Sequence, residues 1–348
     1  MDIRTRLQRL QERRYDSINK SITLSEAVRN SALSETERYI LGSMEQVSSQ
    51  QTEIVVRTGE RVKSHLEKYL ENENLYPDFE YQGSVTNNTH IKLNSDIDLL
   101  VVEKKFFTPK DGSYSTWSSY EGNPVETIRY LRSKCKIGLV SGFPAARVTE
   151  KSKCLGISGG SLQRDVDVVP CNWIKNAEYE RTNNKAYLGI RVLDVDKNVW
   201  IENYPFLHNW YLNYKDENTS GNLKRIIRLL KTLKEDAELT IDVSSYDICG
   251  LVHSIDDASI KSYHGEGKFD FLKRFLTYSK DLETNQGKRD SIYVPNKTRK
   301  LFSSDGLNVS ELKNLNNELD AILDEVRSPH ERHLRVLNNL YGDSMERI

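Results

Sequence analysis

Apolar residues recur at helical spacing in the first part of the chain. Ser34 and Glu37 have the Ser-x-x-Glu spacing of a capping box, which is typical of the first turn of a helix. A long helix that ends near Asn72 is predicted by four apolar residues with helical periodicity: Val55, Val62, Leu66 and Leu70. The segment from residue 1 to about 72 is therefore expected to be helical.

The pattern changes to short apolar runs from Phe79 onward, and these runs predict strands. The clearest run extends from Asp96 to Val102. A second extends from Leu162 to Val169, and Pro170 is expected to end it. Gly159-Gly160 precedes this second run and is expected to be the turn of a hairpin rather than a cradle for phosphate.

The remaining segments are expected to be one loop and several helices. Residues 104–122 are polar with scattered aromatics and are predicted as a loop, and a helix is expected from Pro124 to Lys134. After about residue 200, Asn222 is expected to cap a helix with this buried stripe: Leu223, Ile226, Ile227, Leu230 and Leu233. Its basic residues are expected on the flanks and the opposite face: Lys224, Arg225, Arg228, Lys231 and Lys234. Two further helices are expected, one from Ser310 and a last short one with Leu334 and Leu337.

These elements predict an α/β fold of the α+β kind, with a mixed β-sheet core between N-terminal helices and a C-terminal helical lobe. The length of 348 residues suits two domains. We expect residues 1–200 to form the N-terminal helices and the core, and residues 201–348 to form the helical domain.

Charge, cysteine content and hydropathy exclude several classes of protein. The net charge of −1 argues against binding nucleic acid through bulk positive potential. The four cysteines contain no Cys-x-x-Cys pair, so we expect reduced thiols and no structural zinc. No apolar run approaches the roughly 20 residues of a membrane span, so the expectation is a cytoplasmic protein without a membrane partner.

Two acidic strands carry the candidate chemistry. Asp96 and Asp98 point to the same side of a strand because side chains alternate, and a second acidic run contains Asp165 and Asp167. Carboxylates on neighbouring strands suit two divalent cations, Mg²⁺ or Mn²⁺, which prefer oxygen ligands. The alternative is that these are solvent-facing residues of amphipathic strands. Upstream, Gly83-Ser84 offers a small turn and a hydroxyl group to a phosphate.

These motifs together resemble the nucleotidyltransferase superfamily of polymerase β type. More narrowly, they are similar to the bacterial antiphage members of the cGAS/DncV-like nucleotidyltransferases (CD-NTases). This resemblance implies a two-lobed nucleotidyltransferase fold. Because the family places its third carboxylate in a Val-Asp-Val-x-Pro strand, the resemblance assigns metal binding to Asp96, Asp98 and Asp167, and Asp165 becomes a solvated neighbour.

The helical half carries a second match. Ile226 to Lys231 and Val243 to Tyr246 are similar to the Lys helix and the Ser-Ser-Tyr segment of cyclic GMP-AMP synthase. The resemblance implies that Lys231 and Ser245 hold the donor triphosphate and that Tyr246 stacks on a base. Taken without the resemblance, Lys231 would be an ordinary residue of a solvated helix face and Tyr246 would be core packing.

The resemblance implies a metal-dependent enzyme that uses ATP and other ribonucleoside triphosphates. Its product would be a cyclic di- or trinucleotide second messenger, released with pyrophosphate, in antiphage signalling. Two alternatives stay open: a template-independent transferase acting on RNA or protein, and a catalytically inactive nucleotide-binding sensor. Since the zinc insertion of the animal DNA sensor is absent from the sequence, no obligate double-stranded DNA is expected. We expect either synthesis without added nucleic acid or activation by a regulatory protein or small ligand.

Overall fold

The protein divides into two units, each with its own core. The computed structural model describes these parts of the chain: residues 1–14, 32–92, 95–110, 113 and 120–327. The helical unit comprises Met1–Glu45, Lys215–Val294 and Arg299–Ile348, and the sheet unit comprises Gln46–Tyr214 and Pro295–Thr298. Within the described ranges, no helix is both long and apolar enough to cross a membrane. The helix predicted around Leu334 and Leu337 lies outside them.

The sheet unit is built on a seven-stranded mixed sheet. Its strands are β1 (Asp78–Gln82), β2 (Ile97–Pro109), β3 (Arg147–Glu150), β4 (Leu155–Ser158), β5 (Val166–Lys175), β6 (Gly189–Asp194) and β7 (Val199–Asn203). The order is β1-β2-β5-β4-β3, with β6 pairing a further part of β5 and β7 pairing β6. Strands β2 and β5 are parallel, and every other pair is antiparallel.

Helices cover the sheet and fix its buried face. In chain order, α3 (Ser49–Asn72) precedes the strands and α4 (Pro124–Gly142) follows β2. Both pack against the central strands, and their apolar faces share one core with Ile97, Leu99 and Val168. The predicted long helix ending at Asn72 and the predicted helix starting at Pro124 are both confirmed, the second running further than expected.

Two expectations about the central strands are wrong. Strand β2 does not end before a loop at residue 104 but continues to Pro109 through a bulge between Glu103 and Phe107. Strand β5 does not end at Pro170. Two strands pair with β5 on the side away from β2: β4 pairs with the part that ends at Val168, and β6 pairs with the part that begins at Cys171. Pro170 lies between these two parts, where its missing N–H breaks neither pairing.

The helical unit surrounds one central helix. Its described helices are α1 (Ile3–Arg14), α2 (Glu35–Met44), α7 (Asn222–Asp236), α8 (Ser245–Ser254), α9 (Asp257–Ile260), α10 (Asp270–Thr284), α11 (Gln286–Ser291) and α12 (Val309–Glu325). Helix α7 contacts α1, α2, α8 and α12. The sheet unit holds the short α5 (Ala177–Thr182), and α6 (Pro205–Asn218) crosses the boundary between the units in sequence.

This central position corrects the expected surface of α7. Arg228 and Lys231 are both only 6% exposed and do not lie on a solvated face, whereas Arg225 is exposed. The reason is that helices pack around α7 on several sides. The expected cap at Asn222 is also wrong, because Gly221 occupies the cap position and the Asn222 amide donates to the Ile260 carbonyl.

The N-terminal helices α1 and α2 belong to the helical unit. Arg13 donates to both oxygens of Asp236 at 2.6 Å, and the Tyr39 hydroxyl donates to the same carboxylate at 2.8 Å. The structure therefore groups residues 1–45 with the C-terminal helices, whereas the sequence division at residue 200 put them with the sheet. The predicted capping box of Ser34 and Glu37 is present at the start of α2.

Candidate active site

The parallel pairing of β2 and β5 sets two carboxylates side by side. Asp98 and Asp167 are register partners near the starts of these strands. The residues on either side of each aspartate, such as Ile97 and Val166, are buried in the core. Asp96 precedes Asp98 by two residues, so strand alternation puts it on the same side. The three predicted carboxylates therefore come to the same end of two neighbouring central strands.

Concentrated negative charge changes the acidity of this group. Burial raises the pKa of Asp98 to about 7, and the charges of Asp167 and Asp96 add to the effect. The pKa of Asp96 is raised as well, first by desolvation and then by Asp167 and Asp165. Carboxylates whose ionisation is opposed by burial and by their like-charged neighbours favour a cation between them, which fits the oxygen-ligand chemistry of Mg²⁺ or Mn²⁺.

The three carboxylates do not close into a cage. In the part of the chain that the structure describes, no three His, Cys, Asp or Glu side chains are gathered closely enough to hold a metal ion by themselves. A lysine ammonium occupies part of the space instead: Lys151 Nζ lies 2.7 and 2.8 Å from the two carboxylate oxygens of Asp167. The sequence analysis missed Lys151, since a lysine in a turn between two strands carries no local signal for a contact with Asp167.

The Gly83-Ser84 turn lies directly against Asp98. Gly83 follows β1, whose last residue Gln82 is the register partner of Asp98. Gly83 has a φ of +91°, a conformation that favours glycine, and a Cβ at this position would overlap Oδ2 of Asp98. The structure thus brings the predicted phosphate-binding turn and the predicted metal ligands together.

A hydrogen-bond network fixes the loop that follows Ser84. The Thr89 amide donates to the Ser84 carbonyl at 2.9 Å. Asn209 on α6 donates to the Thr86 hydroxyl at 2.9 Å and accepts from Asn87 at 3.0 Å. The side chains of Thr86 and Asn87 therefore attach this loop to α6. The sequence analysis missed Asn209, since an asparagine far along the chain carries no local signal for such a role.

The three predicted triphosphate and base contacts lie on adjacent helices of the helical unit. Lys231 is on α7, and Ser245 is the exposed first residue of α8, which Ser244 caps. Burial lowers the pKa of Lys231, as do the neighbouring charges of Arg228 and Lys234. A negatively charged ligand would offset the effect of burial and of these two neighbouring cations on the Lys231 ammonium.

Tyr246 has an arginine over its ring that the sequence did not predict. The guanidinium of Arg299 lies 5.6 Å from the centre of the half-buried Tyr246 ring, and it is ion-paired with Asp247 at 2.5 Å. Arg299 therefore braces the Ser-Ser-Tyr segment from one side. The structure brings Lys231, Ser245 and Tyr246 to the contacting helices α7 and α8, and brings Gly83, Ser84 and the three aspartates to one end of the sheet.

Comparison with known proteins gives consistent matches. Residues 211–324 match the model of the cGAS/DncV-like nucleotidyltransferase C-terminal helical domain. The chain is 35% identical to the cyclic dinucleotide synthase CdnE of Yersinia aleksiciae, over 93% of this chain and 87% of that protein. It is 33% identical to a c-di-GMP synthase of a Lachnospiraceae bacterium, over 63% of this chain and 68% of that protein.

A solved structure agrees over nearly the full length. The STING-associated CdnE c-di-GMP synthase of Capnocytophaga granulosa superposes with a TM-score of 0.75 at 26% identity, covering 92% of this chain and 97% of that one. The mixed sheet and the helical C-terminal region are those of the predicted nucleotidyltransferase fold. With the 35% identity to the Yersinia protein, this establishes that the chain belongs to the CD-NTase family of nucleotidyltransferases.

Proposed function

We propose that this enzyme joins ribonucleoside triphosphates into a cyclic dinucleotide and releases pyrophosphate. The observation that carries the proposal is the register pairing of Asp98 with Asp167 beside the Gly83 turn. It supports a site in which two carboxylates lie beside the turn that is proposed to bind phosphate. The Yersinia relative, named a cyclic dinucleotide synthase, supports two nucleotides rather than three in the product.

Each candidate site residue of the sheet unit has its own proposed role in this reaction. The Gly83 turn would present its backbone to a phosphate, and the Ser84 hydroxyl would donate to the same phosphate. Asp96, Asp98 and Asp167 would hold the metal ions, and their spacing would set the direction in which the ribose hydroxyl meets the α-phosphate. Two bound divalent cations would lower the pKa of that hydroxyl and neutralise charge on the departing pyrophosphate.

The helical unit supplies the cationic contacts. Lys231 presents a compact ammonium to the β- and γ-phosphates, and its buried, cation-rich surroundings make an anionic partner favourable. The Ser245 hydroxyl and the backbone N–H groups at the start of α8 would donate to the same triphosphate. The Tyr246 ring would stack on a base.

Cyclisation needs the same chemistry to occur twice. In the first transfer, the acceptor's ribose oxygen bonds to the donor's α-phosphate and pyrophosphate leaves. The linear intermediate keeps the acceptor's triphosphate and the donor's free ribose hydroxyl. If the intermediate rebinds with its two nucleotides in exchanged positions, that hydroxyl attacks the remaining α-phosphate. This second transfer releases pyrophosphate and closes the ring. The proposal therefore predicts a product without terminal phosphates, which a template-independent transferase would not make from triphosphates alone.

The signalling role and its activation form part of the same proposal. We propose that the product acts as a second messenger in antiphage defence in the cytoplasm, where ribonucleoside triphosphates are abundant. The Capnocytophaga relative is described as STING-associated, which supports a signalling product. We further propose that a protein or small ligand activates the enzyme and that double-stranded DNA is not required, since the net charge is −1.

The testing experiment uses purified protein with the four labelled ribonucleoside triphosphates and Mg²⁺ or Mn²⁺. After phosphatase treatment, products are separated and their mass is measured. A phosphatase-resistant dinucleotide is the expected result. Linear oligomers, or label transferred only to added RNA or protein, would support a transferase of another kind. Nucleotide binding without any product would support the inactive sensor.

A further inference from the structure

The Lys151 ammonium makes a two-point ion pair with the third carboxylate of the site. Its Nζ lies 2.7 Å from Oδ1 and 2.8 Å from Oδ2 of Asp167. The lysine side chain is 49% exposed and that of Asp167 is 18% exposed. Its charge also acts on Asp96 and Asp98, since it opposes the upward shift in the pKa of both. Lys151 thus acts on all three carboxylates, and Lys92 acts on Asp96 as well.

The fold places this lysine by backbone contacts that do not use its side chain. Lys151 lies in the turn between β3 and β4, where its N–H donates to the Cys154 carbonyl at 3.0 Å. Arg132, buried on α4, donates to the carbonyls of both Lys151 and Cys154. Backbone hydrogen bonds within the sheet unit therefore fix the turn, and the Lys151 side chain forms the ion pair with Asp167.

A glycine keeps the path between the two charges open. Gly156 on β4 is the register partner of Asp167. A Cβ on Gly156 would lie 3.2 Å from both Oδ1 of Asp167 and Cε of Lys151. Because most atoms do not approach a Cβ so closely, a side chain at this position would press against both partners. The lysine stem crosses β4 at the one residue that has no side chain to obstruct it.

We propose that Lys151 is a built-in competitor of the metal ion at Asp167. Its ammonium neutralises Asp167 in the metal-free enzyme and has to move aside before a divalent cation binds there. The inference rests on the metal site of the proposed function and adds to it a control of metal entry. Because displacing Lys151 costs free energy, a metal ion alone binds weakly, whereas a metal ion that arrives with a triphosphate gains further contacts that favour the displaced state.

A purely structural salt bridge would behave differently. Ion pairs with an exposed partner contribute little to stability, and the hairpin already has the Arg132 contacts. A structural role predicts a change in unfolding temperature on substitution, and no larger gain in metal affinity than the loss of any other nearby positive charge gives. Competition predicts the reverse: removing the ammonium raises the affinity for metal, because Asp167 is then free of its bound cation.

The test is a titration of the nucleotide-free full-length protein with Mn²⁺, followed by the electron paramagnetic resonance signal of free Mn²⁺. Lys151→Gln should bind Mn²⁺ about two- to fivefold more tightly than the wild type, the scale expected for a partly exposed ion pair. Lys151→Arg keeps the charge and the two-point geometry and should stay near the wild type. Lys153→Gln removes an exposed lysine two residues away and serves as the matched control.

The outcomes separate this inference from the proposed function. Tighter binding by Lys151→Gln alone, abolished when Asp98→Asn is added, supports competition at this site. Equal or weaker binding by Lys151→Gln overturns it, and so does an absence of Mn²⁺ binding in both proteins, because something else then keeps the metal out. In either case, dinucleotide synthesis by the wild type would leave the proposed function standing.

Discussion

Gly83 and Asp98 approach each other so closely that any side chain at the first position would displace the Asp98 carboxylate. Gly83 has a φ of +91°, and a Cβ there would overlap the Asp98 carboxylate. The turn that is proposed to bind phosphate and the carboxylate that is proposed to bind metal are therefore one packed unit. A change at the turn will be felt at the metal site.

Gly83→Ala is expected to abolish most nucleotide incorporation. The substitution adds both the strain of a positive φ, about 1 kcal/mol, and the displacement of Asp98. Gly159→Ala is the matched control, because Gly159 also has a positive φ of +74° but a Cβ there has nothing within 4 Å. Initial rates and unfolding temperatures of both variants make the comparison. Equal losses of activity in the two would show that strain alone, and not contact with Asp98, is responsible.

The double variant Asp96→Asn, Asp98→Asn is expected to lose nucleotide incorporation while its metal-free fold stays as stable as the wild type or becomes more so. Removing two anionic ligands weakens metal binding, and it also relieves repulsion among like charges. The control is Asp165→Asn, an exposed neighbour that is expected to stay active. The assays are product formation and thermal unfolding in a metal chelator. Synthesis by the double variant near the wild-type rate would refute the ligand assignment.

In the metal-free protein, the contribution of Asp98 to the free energy of unfolding is expected to fall as pH rises from about 4 to about 7. The pKa of Asp98 is about 7 in the folded protein and near 3.8 when unfolded, so over this range the folded state binds the proton more strongly. Stability gained from this proton is present at low pH and is lost as the group ionises. Compared with the wild type, Asp98→Asn should be more stable above pH 7 by about 1 to 2 kcal/mol, after allowance for solvent screening.

Denaturant unfolding of the two proteins across this pH range measures the effect, and the difference between them isolates Asp98 from other titrating groups. Saturating Mg²⁺ or Mn²⁺ should remove the wild type's loss of stability, since a bound cation favours the ionised carboxylate. A difference between the proteins that does not change with pH would contradict the raised pKa.

Lys231→Ala is expected to raise KM for the triphosphate more than it lowers kcat. Its proposed contacts are to phosphates away from the reacting centre, which contribute to ground-state binding. The loss of kcat/KM should correspond to about 1.5 to 3 kcal/mol, the scale of a hydrogen bond to a charged group. Lys313→Ala, on the exposed side of α12, controls for the loss of a lysine. Steady-state kinetics over a range of nucleotide concentrations decide the matter, and unchanged constants would remove Lys231 from the site.

The alternation of apolar and acidic residues was sufficient to predict the two strands that carry the candidate metal ligands. The alternation around Asp98 and around Asp167 predicted two strands with carboxylates on one side, and the pairing of β2 with β5 agrees with that prediction. What alternation does not contain is the order of strands in the sheet. The adjacency of the two aspartates therefore followed from the family resemblance and from the fold, and not from the spacing.

Long-range contacts account for what the sequence analysis missed. The basic residues of α7 were expected in solvent because a single apolar stripe implies one buried face, yet Arg228 and Lys231 are buried by helices on other sides. Lys151 lies in a turn, where a lysine usually means solvent, and only the pairing of β4 with β5 brings it to Asp167. Pro170 ends a strand in most contexts but here lies between two partners.

The most direct test of the central claim is the ratio of pyrophosphate to product during synthesis. Purified wild-type enzyme is incubated with ribonucleoside triphosphates and Mg²⁺ or Mn²⁺, without nucleic acid, and both pyrophosphate and phosphatase-resistant dinucleotide are quantified. A cyclic product forms one phosphodiester bond for each nucleotide it contains, so the account predicts one pyrophosphate per incorporated nucleotide. A linear product would contradict this prediction. It would release one pyrophosphate fewer per product molecule, and phosphatase would remove its terminal phosphates.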